Sequence, residues 1–339
     1  MATMQDVARL ASVSLSTVSY ALSGARPVSP ATKDRIEAAM AELGFRPNAF
    51  ARALASRRSR TLALIFPAMT VGISGTVTEF VASAATTARA RGYHLVLWPF
   101  GSDQAEEIRD LVGQGMADGV LLMEVCLEDA RVAALHAAGV PFTMIGRTAD
   151  PTGLTYVDID FDTTTDDAVE HLTSLGHRRI GFINHSARSH DLGYGPTLRG
   201  ERGFRAAMRR RGLEPHVVPA DDHPTAGRAA MADLIAREPA MTAVVAMNEM
   251  ATLGALVELA DRGLRIPEDF SVLSIVSSPG VAAMSNPPLT TMHAPGTELG
   301  RLAIEALVAR LEGTGADAEP VLITCPLETG GSTGPAPAR

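Results

Sequence analysis

Met4-Gln5-Asp6-Val7-Ala8-Arg9-Leu10-Ala11-Ser12-Val13-Ser14-Leu15-Ser16-Thr17-Val18-Ser19 is the stretch on which the reading of this chain turns. Thr3 stands three residues before Asp6, the spacing of a capping box, so a short helix is expected over residues 4–11, with Val7, Leu10 and Ala11 on one face. Ser12-Val13-Ser14 interrupts it, and Ser14 is placed to cap a second helix over residues 15–22 with Val18 and Leu22 pointing inward. Two short helices with such a turn between them make a helix-turn-helix. In that motif the second helix lies in the major groove of duplex DNA and its early residues reach base edges. Thr3 and Ser14 at the caps, and Leu15, Ser16, Thr17, Ser19 and Tyr20 on the outward face, are the candidate DNA contacts. Hydroxyls bond bases or phosphates, and Leu15 suits a thymine methyl. A third helix follows: Ser29 caps, Pro30 takes its first position, Ile36, Met40 and Leu43 form the stripe, and Gly44 ends it.

Phe45-Arg46-Pro47-Asn48 then breaks the chain, and Asn48 can cap the short segment Ala49-Phe50-Ala51-Arg52-Ala53-Leu54-Ala55. Helices below about 12–15 residues are marginal alone in water, so this one needs a partner, either a second subunit or DNA. Ser56-Arg57-Arg58-Ser59-Arg60 after it is basic and has no apolar stripe.

Charge follows the same division. The 339 residues carry a formal charge of −8, yet residues 1–60 hold nine basic and four acidic side chains, so +5 on the head leaves −13 on the rest. A basic head on an acidic body points to a polyanion-binding module joined to something with another task. Hydrophobic residues at 46% and charged residues at 20% are those of a globular protein. No apolar run reaches the roughly 18 residues of a bilayer span, so no membrane partner is expected. The first residues lack the charged and apolar regions of a secretory signal, and Cys126 and Cys325 form no CxxC or Cys/His cluster. Buried thiols in a reducing cytoplasm, without a metal, are the expectation.

From Thr61 short apolar runs alternate with helical stretches. Residues 61–66, 93–98, 119–124 and 141–145 read as buried strands, with helices over 75–91, 103–113 and 127–138. A second set has strands over 179–184, 217–219, 242–247 and 271–276, with helices over 162–175, 199–211, 225–237 and 248–262. Residues 297–311 form a late helix and 320–326 a last strand. Two repeated βαβ sets predict two α/β lobes of doubly wound parallel sheet, with a ligand cleft at the carboxyl ends of their strands.

Residues 4–19, Leu43-Gly44-Phe45-Arg46-Pro47-Asn48 and Ala51-Arg52-Ala53-Leu54 together resemble the lactose-repressor (LacI/GalR) family of bacterial transcription regulators. The likeness runs on to about residue 330. It implies a helix-turn-helix head over residues 1–47 and a hinge helix and linker over 48–60. It further implies a periplasmic-binding-protein-like body whose first lobe is 61–158 plus 291–318 and whose second lobe is 159–290 plus 319–330. Residues 331–339, rich in Gly, Pro and Ala, read as a mobile tail. The chain would cross between lobes near Asp158, Thr290 and Glu319.

By the same resemblance Asn48, Arg52 and Leu54 touch DNA. Leu54 is the wedge driven into the minor groove beside its copy from a second subunit, which costs unstacking energy and gains protein contact on bent DNA. The family usually has glycine where this chain has Ser12, and arginine is common where it has Tyr20. For a small-molecule effector, a sugar or related polar metabolite, the resemblance marks Glu124, Asp160, Arg199 with Arg202 as its competitor, and Asn248 with Glu249. Phe66 and Trp98 are candidates for an apolar wall. Where sugar-responsive relatives carry Gly-aromatic-Asp-Asp, this chain has Leu273-Ser274-Ile275-Val276-Ser277, without a carboxylate.

The function so implied is a homodimeric, sequence-specific DNA-binding regulator, a repressor controlled by its effector. A tetramer remains an alternative to the dimer, although the tail offers no leucine heptad for one. One alternative is a cytoplasmic solute-binding module without regulatory DNA binding. A hydrolase acting in the cleft is another, but the chain has no Walker loop, no GxGxxG, no HExxH and no GxSxG. His185, His190 and Asp191 read as a polar loop. No catalytic residue and no cofactor is expected.

Overall fold

The computed structural model describes residues 2–23, 26–45, 58–66, 75–101, 103–314 and 319–338. The head holds α1 (Met4–Leu10), α2 (Leu15–Ser23) and α3 (Pro30–Leu43). The capping box forms: Asp6 N donates to Thr3 Oγ1 at 3.3 Å, and Thr3 N donates to the Asp6 carboxylate at 3.0 Å. Ser29 caps α3, and Gly44 closes it in the left-handed region at φ +58. Val7, Ala8, Ala11, Val18, Ile36 and Ala39 make the core of the head. Leu10, expected on the inner face of α1, stands 43% exposed instead. Val7, Ala8 and Ala11 are buried, while Leu10, two residues beyond Ala8, points about 160° away from it around the helix, past the edge of so narrow a buried stripe. Ser12 occupies the turn between α1 and α2 at φ +52, the left-handed region that favours glycine.

The body contains β1 (Thr61–Ile65), α4 (Gly75–Ala90), β2 (His94–Trp98), α5 (Ala105–Gly113), β3 (Gly119–Leu122), α6 (Ala130–Ala137), β4 (Phe142–Ile145) and β5 (Tyr156–Ile159). Then come α7 (Phe161–Ser174), β6 (Ile180–Asn184), α8 (Ala187–Asp191), α9 (Gly195–Arg210), β7 (His216–Pro219), α10 (Pro224–Arg237), β8 (Ala243–Ala246) and α11 (Glu249–Asp261). The chain ends with β9 (Ser271–Ser277), α12 (Pro279–Ala282), β10 (Thr290–His293), α13 (Gly296–Glu312), β11 (Val321–Ile323) and β12 (Leu327–Glu328). One sheet has the order β11-β5-β4-β3-β1-β2, all parallel; the other has β12-β10-β9-β8-β6-β7, parallel except for β12.

Helices cover both faces, which is why the central strands read as unbroken apolar runs: Leu62, Ala63, Leu64 and Ile65 are fully buried, as are Ala243 to Ala246. Each such leucine or isoleucine contributes about 1.5–3 kcal/mol by leaving water. One apolar cluster passes from Phe80, Leu121 and Leu307 in the first lobe through Ile159 and Phe161 to Phe182, Phe204 and Ile275 in the second. Glycine sets the spacing of α10 and α11, since a methyl at Gly227 would overlap the Ala251 main chain and one at Gly254 that of Pro224.

Three assignments are corrected, two by the strand pairing and one by burial and hydrogen bonding. β10 lies beside β9 in the second sheet, so the return to the first lobe follows His293 rather than Thr290. β11 pairs with β5 in the first sheet, so residues 321–323 belong to the first lobe and the last crossing comes after Ile323, not near Glu319. An apolar run specifies a strand but not the sheet edge that takes it. The tail, at least as far as Ala336, is docked rather than mobile. Ser332 is fully buried, its hydroxyl donates to Val272 O at 2.5 Å and accepts from Thr290 N at 2.7 Å, and Ala336 N donates to Leu175 O at 2.8 Å. Main-chain groups and the Ser332 hydroxyl share that docking, and composition reveals neither set of partners.

Candidate functional site

The lobes meet where their strands end. Glu124 follows β3 at φ +54, and burial pushes its carboxyl up to about 7 against the pull of the Tyr194 hydroxyl, with which it is hydrogen-bonded, and of Arg131. Tyr194 belongs to the second lobe, just before α9. There the chains interlock: Cys126 and Tyr194 form an antiparallel bridge, Leu127 N donates to Gly193 O at 2.8 Å, and Gly195 N donates to Val125 O at 3.1 Å. The His185 ring lies edge-on to Tyr194 at 5.7 Å, and burial pushes its pKa down to about 4, leaving it neutral.

Beside this bridge a cluster of buried opposite charges spans both lobes. Asp158 is 4% exposed; its Oδ2 lies 2.8 Å from Arg147 Nη1 and 4.0 Å from Arg199 Nη1. Burial raises its carboxyl to about 6, with Arg147 and Arg199 pulling the other way. Arg199, on α9, donates through Nη2 to the main-chain oxygens of Arg147 (2.8 Å) and Thr148 (3.0 Å) in the first lobe. Its Nη1 is buried and finds no hydrogen-bond partner among the described residues. A side chain at Gly195 would strike that guanidinium, so the glycine leaves room for it.

Asn248 is buried and caps α11: Oδ1 accepts from Ala251 N at 3.0 Å, and Nδ2 donates to Ala220 O at 3.2 Å. Glu249 beside it accepts from Ser278 N at 2.5 Å and lies 3.2 Å from the Thr76 hydroxyl, which is equally close to Val276 O. The first turn of α4 thus touches the second lobe. Next to this contact the hydroxyls of Ser277 and Ser278 are buried without partners among the described residues.

The structure therefore brings Glu124 and Arg199 to the lobe boundary, with Asn248 at a strand end of the second lobe. It places other candidates elsewhere. Arg202 is 2.8 Å from Asp162 in an exposed ion pair, so Arg199 is the arginine of this site. Asp160 caps α7, accepting from Thr163 N at 3.0 Å and Thr163 Oγ1 at 2.8 Å. Phe66 is packed in the core, and Trp98 lies partly buried with its ring edge-on to Phe100 at 6.2 Å. The sequence reading missed Asp158, Arg147 and Tyr194 as members of the site. For Asp158 a signal existed, since it lies inside an apolar strand where a carboxylate must find a partner. His190 and Asp191 lie on α8, exposed. Among the described residues no three His, Cys, Asp or Glu side chains could share a metal ion, and no helix is long and apolar enough to cross a membrane.

On the head, Val18 turns into the core while Leu15, 45% exposed, and Ser16 face outward, with Ser19 and Tyr20 half-buried. Ser14 Oγ accepts from Thr17 N at 3.1 Å and lies 2.7 Å from Thr17 Oγ1, so Ser14 caps α2. The Arg26 guanidinium sits 5.3 Å over the Tyr20 ring. Asn48, Arg52 and Leu54 lie outside the described residues.

Comparison with known proteins agrees with both halves. Residues 3–48 match the family described as bacterial regulatory proteins, lacI family, and residues 169–333 match the periplasmic binding protein-like domain. The HTH-type transcriptional regulator CelR of Thermobifida fusca is 34% identical, with 96% of each chain covered. A solved structure described as a transcriptional regulator CelR–cellobiose complex superposes with a TM-score of 0.72 at 30% identity, covering 98% of this chain and 100% of that one. The lac repressor dimer bound to operator and the anti-inducer ONPF shares the fold with a TM-score of 0.83 at 24% identity, covering 98% and 99%. The chain belongs to the lacI family of bacterial regulatory proteins and is a DNA-binding transcriptional regulator, not an enzyme.

Proposed function

We propose that this regulator is a cytoplasmic repressor that works as a homodimer on a roughly palindromic operator and lets go when a polar, hydroxyl-bearing effector of sugar type settles between its lobes. Two heads on one dyad read two half-sites. Leu15, Ser16, Thr17, Ser19 and Tyr20 meet base edges and phosphates, Thr3 and Ser14 support them at the helix starts, and Asn48, Arg52 and Leu54 act where the connector meets the minor groove.

The observation that carries the effector reading is Arg199: a buried guanidinium at the junction of the lobes whose Nη1 makes no hydrogen bond among the described residues. An unsatisfied buried donor is costly, and a ligand oxygen would remove that cost. Glu124, Asn248 and the hydroxyls of Ser277 and Ser278, which find no partner among the described residues, supply further polar groups. That the related CelR is described in complex with cellobiose supports a sugar-like ligand. The missing carboxylate in residues 273–277 argues that the contacts differ in detail. Effector and operator must weaken each other's binding by the same factor. A gel shift with the chain's own promoter region, at several salt concentrations and with a panel of sugars, tests this. Preference over random DNA that a sugar relieves supports it; the absence of any sequence preference overturns it.

A further inference from the structure

The connector between head and body enters the first lobe through residues 58–60, and what holds it there is unusually specific. Asp118, in the turn before β3, accepts three hydrogen bonds from two consecutive residues: Ser59 N at 2.6 Å and Ser59 Oγ at 2.8 Å on Oδ1, and Arg60 N at 2.9 Å on Oδ2. Two successive amides aimed at one carboxylate fix the direction of the main chain as well as its position. Arg60 holds φ +54, a conformation that non-glycine residues keep only when their surroundings demand it. Its guanidinium lies 5.0 Å over the Tyr93 ring and 3.5 Å from Glu312. Arg58 donates to Leu311 O at 3.1 Å, at the carboxyl end of α13, where the helix dipole favours a cation.

We propose that Asp118 is a positioning residue for DNA binding: it clamps Ser59 and Arg60 so that the two heads of a dimer leave their bodies at the angle the operator requires. The proposal rests on the reading of the chain as an operator-binding repressor. The clamp joins the connector to β3 and to α13, and α13 is the helix laid against α4 and the first sheet. A shift of the first lobe is therefore passed to the connector at both of its charged contacts. It follows that Arg60, although basic and next to a DNA-binding segment, serves the body and not a phosphate.

The test uses full-length protein and a duplex that the wild type selects from a random pool, with a random duplex as control. Asp118→Ala is expected to lose about tenfold or more on the selected duplex, which is about 1.4 kcal/mol, and less than about twofold on the random one. Asp118→Asn, which keeps Oδ1 but turns an NH2 toward Arg60 N, falls between, and Ser59→Ala loses about threefold. Arg60→Gln weakens selected binding without changing the slope of log affinity against log salt; a lost phosphate contact would lower that slope by about 0.9. Unaltered binding by Asp118→Ala, equal loss on both duplexes, or a lowered slope for Arg60→Gln overturns the clamp. If Asp118→Ala does not fold, Ser59→Ala and Asp118→Asn give the same decision. A wild type that selects no sequence defeats the repressor reading itself, and so is distinguished from failure of the clamp alone.

Discussion

The guanidinium of Arg199, carried by α9 of the second lobe, donates to the main-chain oxygen of Arg147 in the first lobe across 2.8 Å, and the two arginines share Asp158 between them. One side chain thus holds the lobes together and keeps a donor, Nη1, for a ligand. Replacement of Arg199 by Ala is expected to cut effector affinity by about 30-fold or more, a loss of about 2 kcal/mol or more, as for removal of a charge-assisted hydrogen bond. Lysine should not restore it, because one ammonium cannot serve Arg147 O, Thr148 O and a ligand in the fork geometry. Isothermal titration with an effector found by thermal-shift screening checks both variants.

Glu124 gives the apo protein a pH signature. Its carboxyl sits at about 7 in the fold against an ordinary 4.5, and Asp158 at about 6 against 3.8. Raised acids hold protons in the fold that the unfolded chain has already released. Stability therefore falls as pH rises from about 4 to 7 through these two groups. Glu124→Gln, which never ionises, should melt above the wild type at pH 8 and close to it at pH 4.5. The difference at pH 8 should be on the order of 1–3 kcal/mol. Thermal melts across that range measure it, and parallel curves for the two proteins would contradict the assignment.

Leu54 is expected to act only on specific complexes. Leu54→Ala should weaken operator binding by tenfold or more while leaving binding to random duplex nearly unchanged, since wedge insertion belongs to the bent, sequence-specific state. Parallel titrations on the two duplexes decide it.

The docked tail is expected to stabilise the second lobe. Ser332 bonds Val272 and Thr290, and Gly334 O lies 3.0 Å from the buried His177 ring, which also contacts Thr242 and Ser271. Deletion of residues 332–339 leaves several of these buried groups unpaired, at about 1–3 kcal/mol each. The melting temperature should drop by several degrees, with head-dependent binding to random duplex intact. A tail that merely trails in solvent would show no change.

How far the sequence could be read depended on how local the determining contact is. Thr3 with Asp6, and Ser29 with Pro30 and Gly44, announce the helices of the head because caps are made within one turn. The apolar runs at Leu62–Ile65 and Ala243–Ala246 announce buried strands for the same kind of reason. What escaped needs partners far along the chain. β11 is an apolar triplet whose membership in the first sheet is decided by the free edge of β5, and the tail is held by main-chain groups and by the Ser332 hydroxyl, whose partners lie 42 and 60 residues away. In the cleft, Arg199 and Arg202 look alike in sequence; only the turn of α9 sends one to Arg147 and Thr148 and the other to Asp162 on the surface. Asp158 and Asp160 were separated likewise, one buried between arginines and the other spent on a helix cap.

Coupling between operator and effector is tested most directly by fluorescence anisotropy of the full-length protein on its selected operator, repeated with increasing effector. Operator affinity should stand at least about a hundredfold above that for random duplex and fall by a fixed factor as effector saturates, with operator lowering effector affinity by that same factor. Effector binding that leaves operator affinity untouched would contradict it.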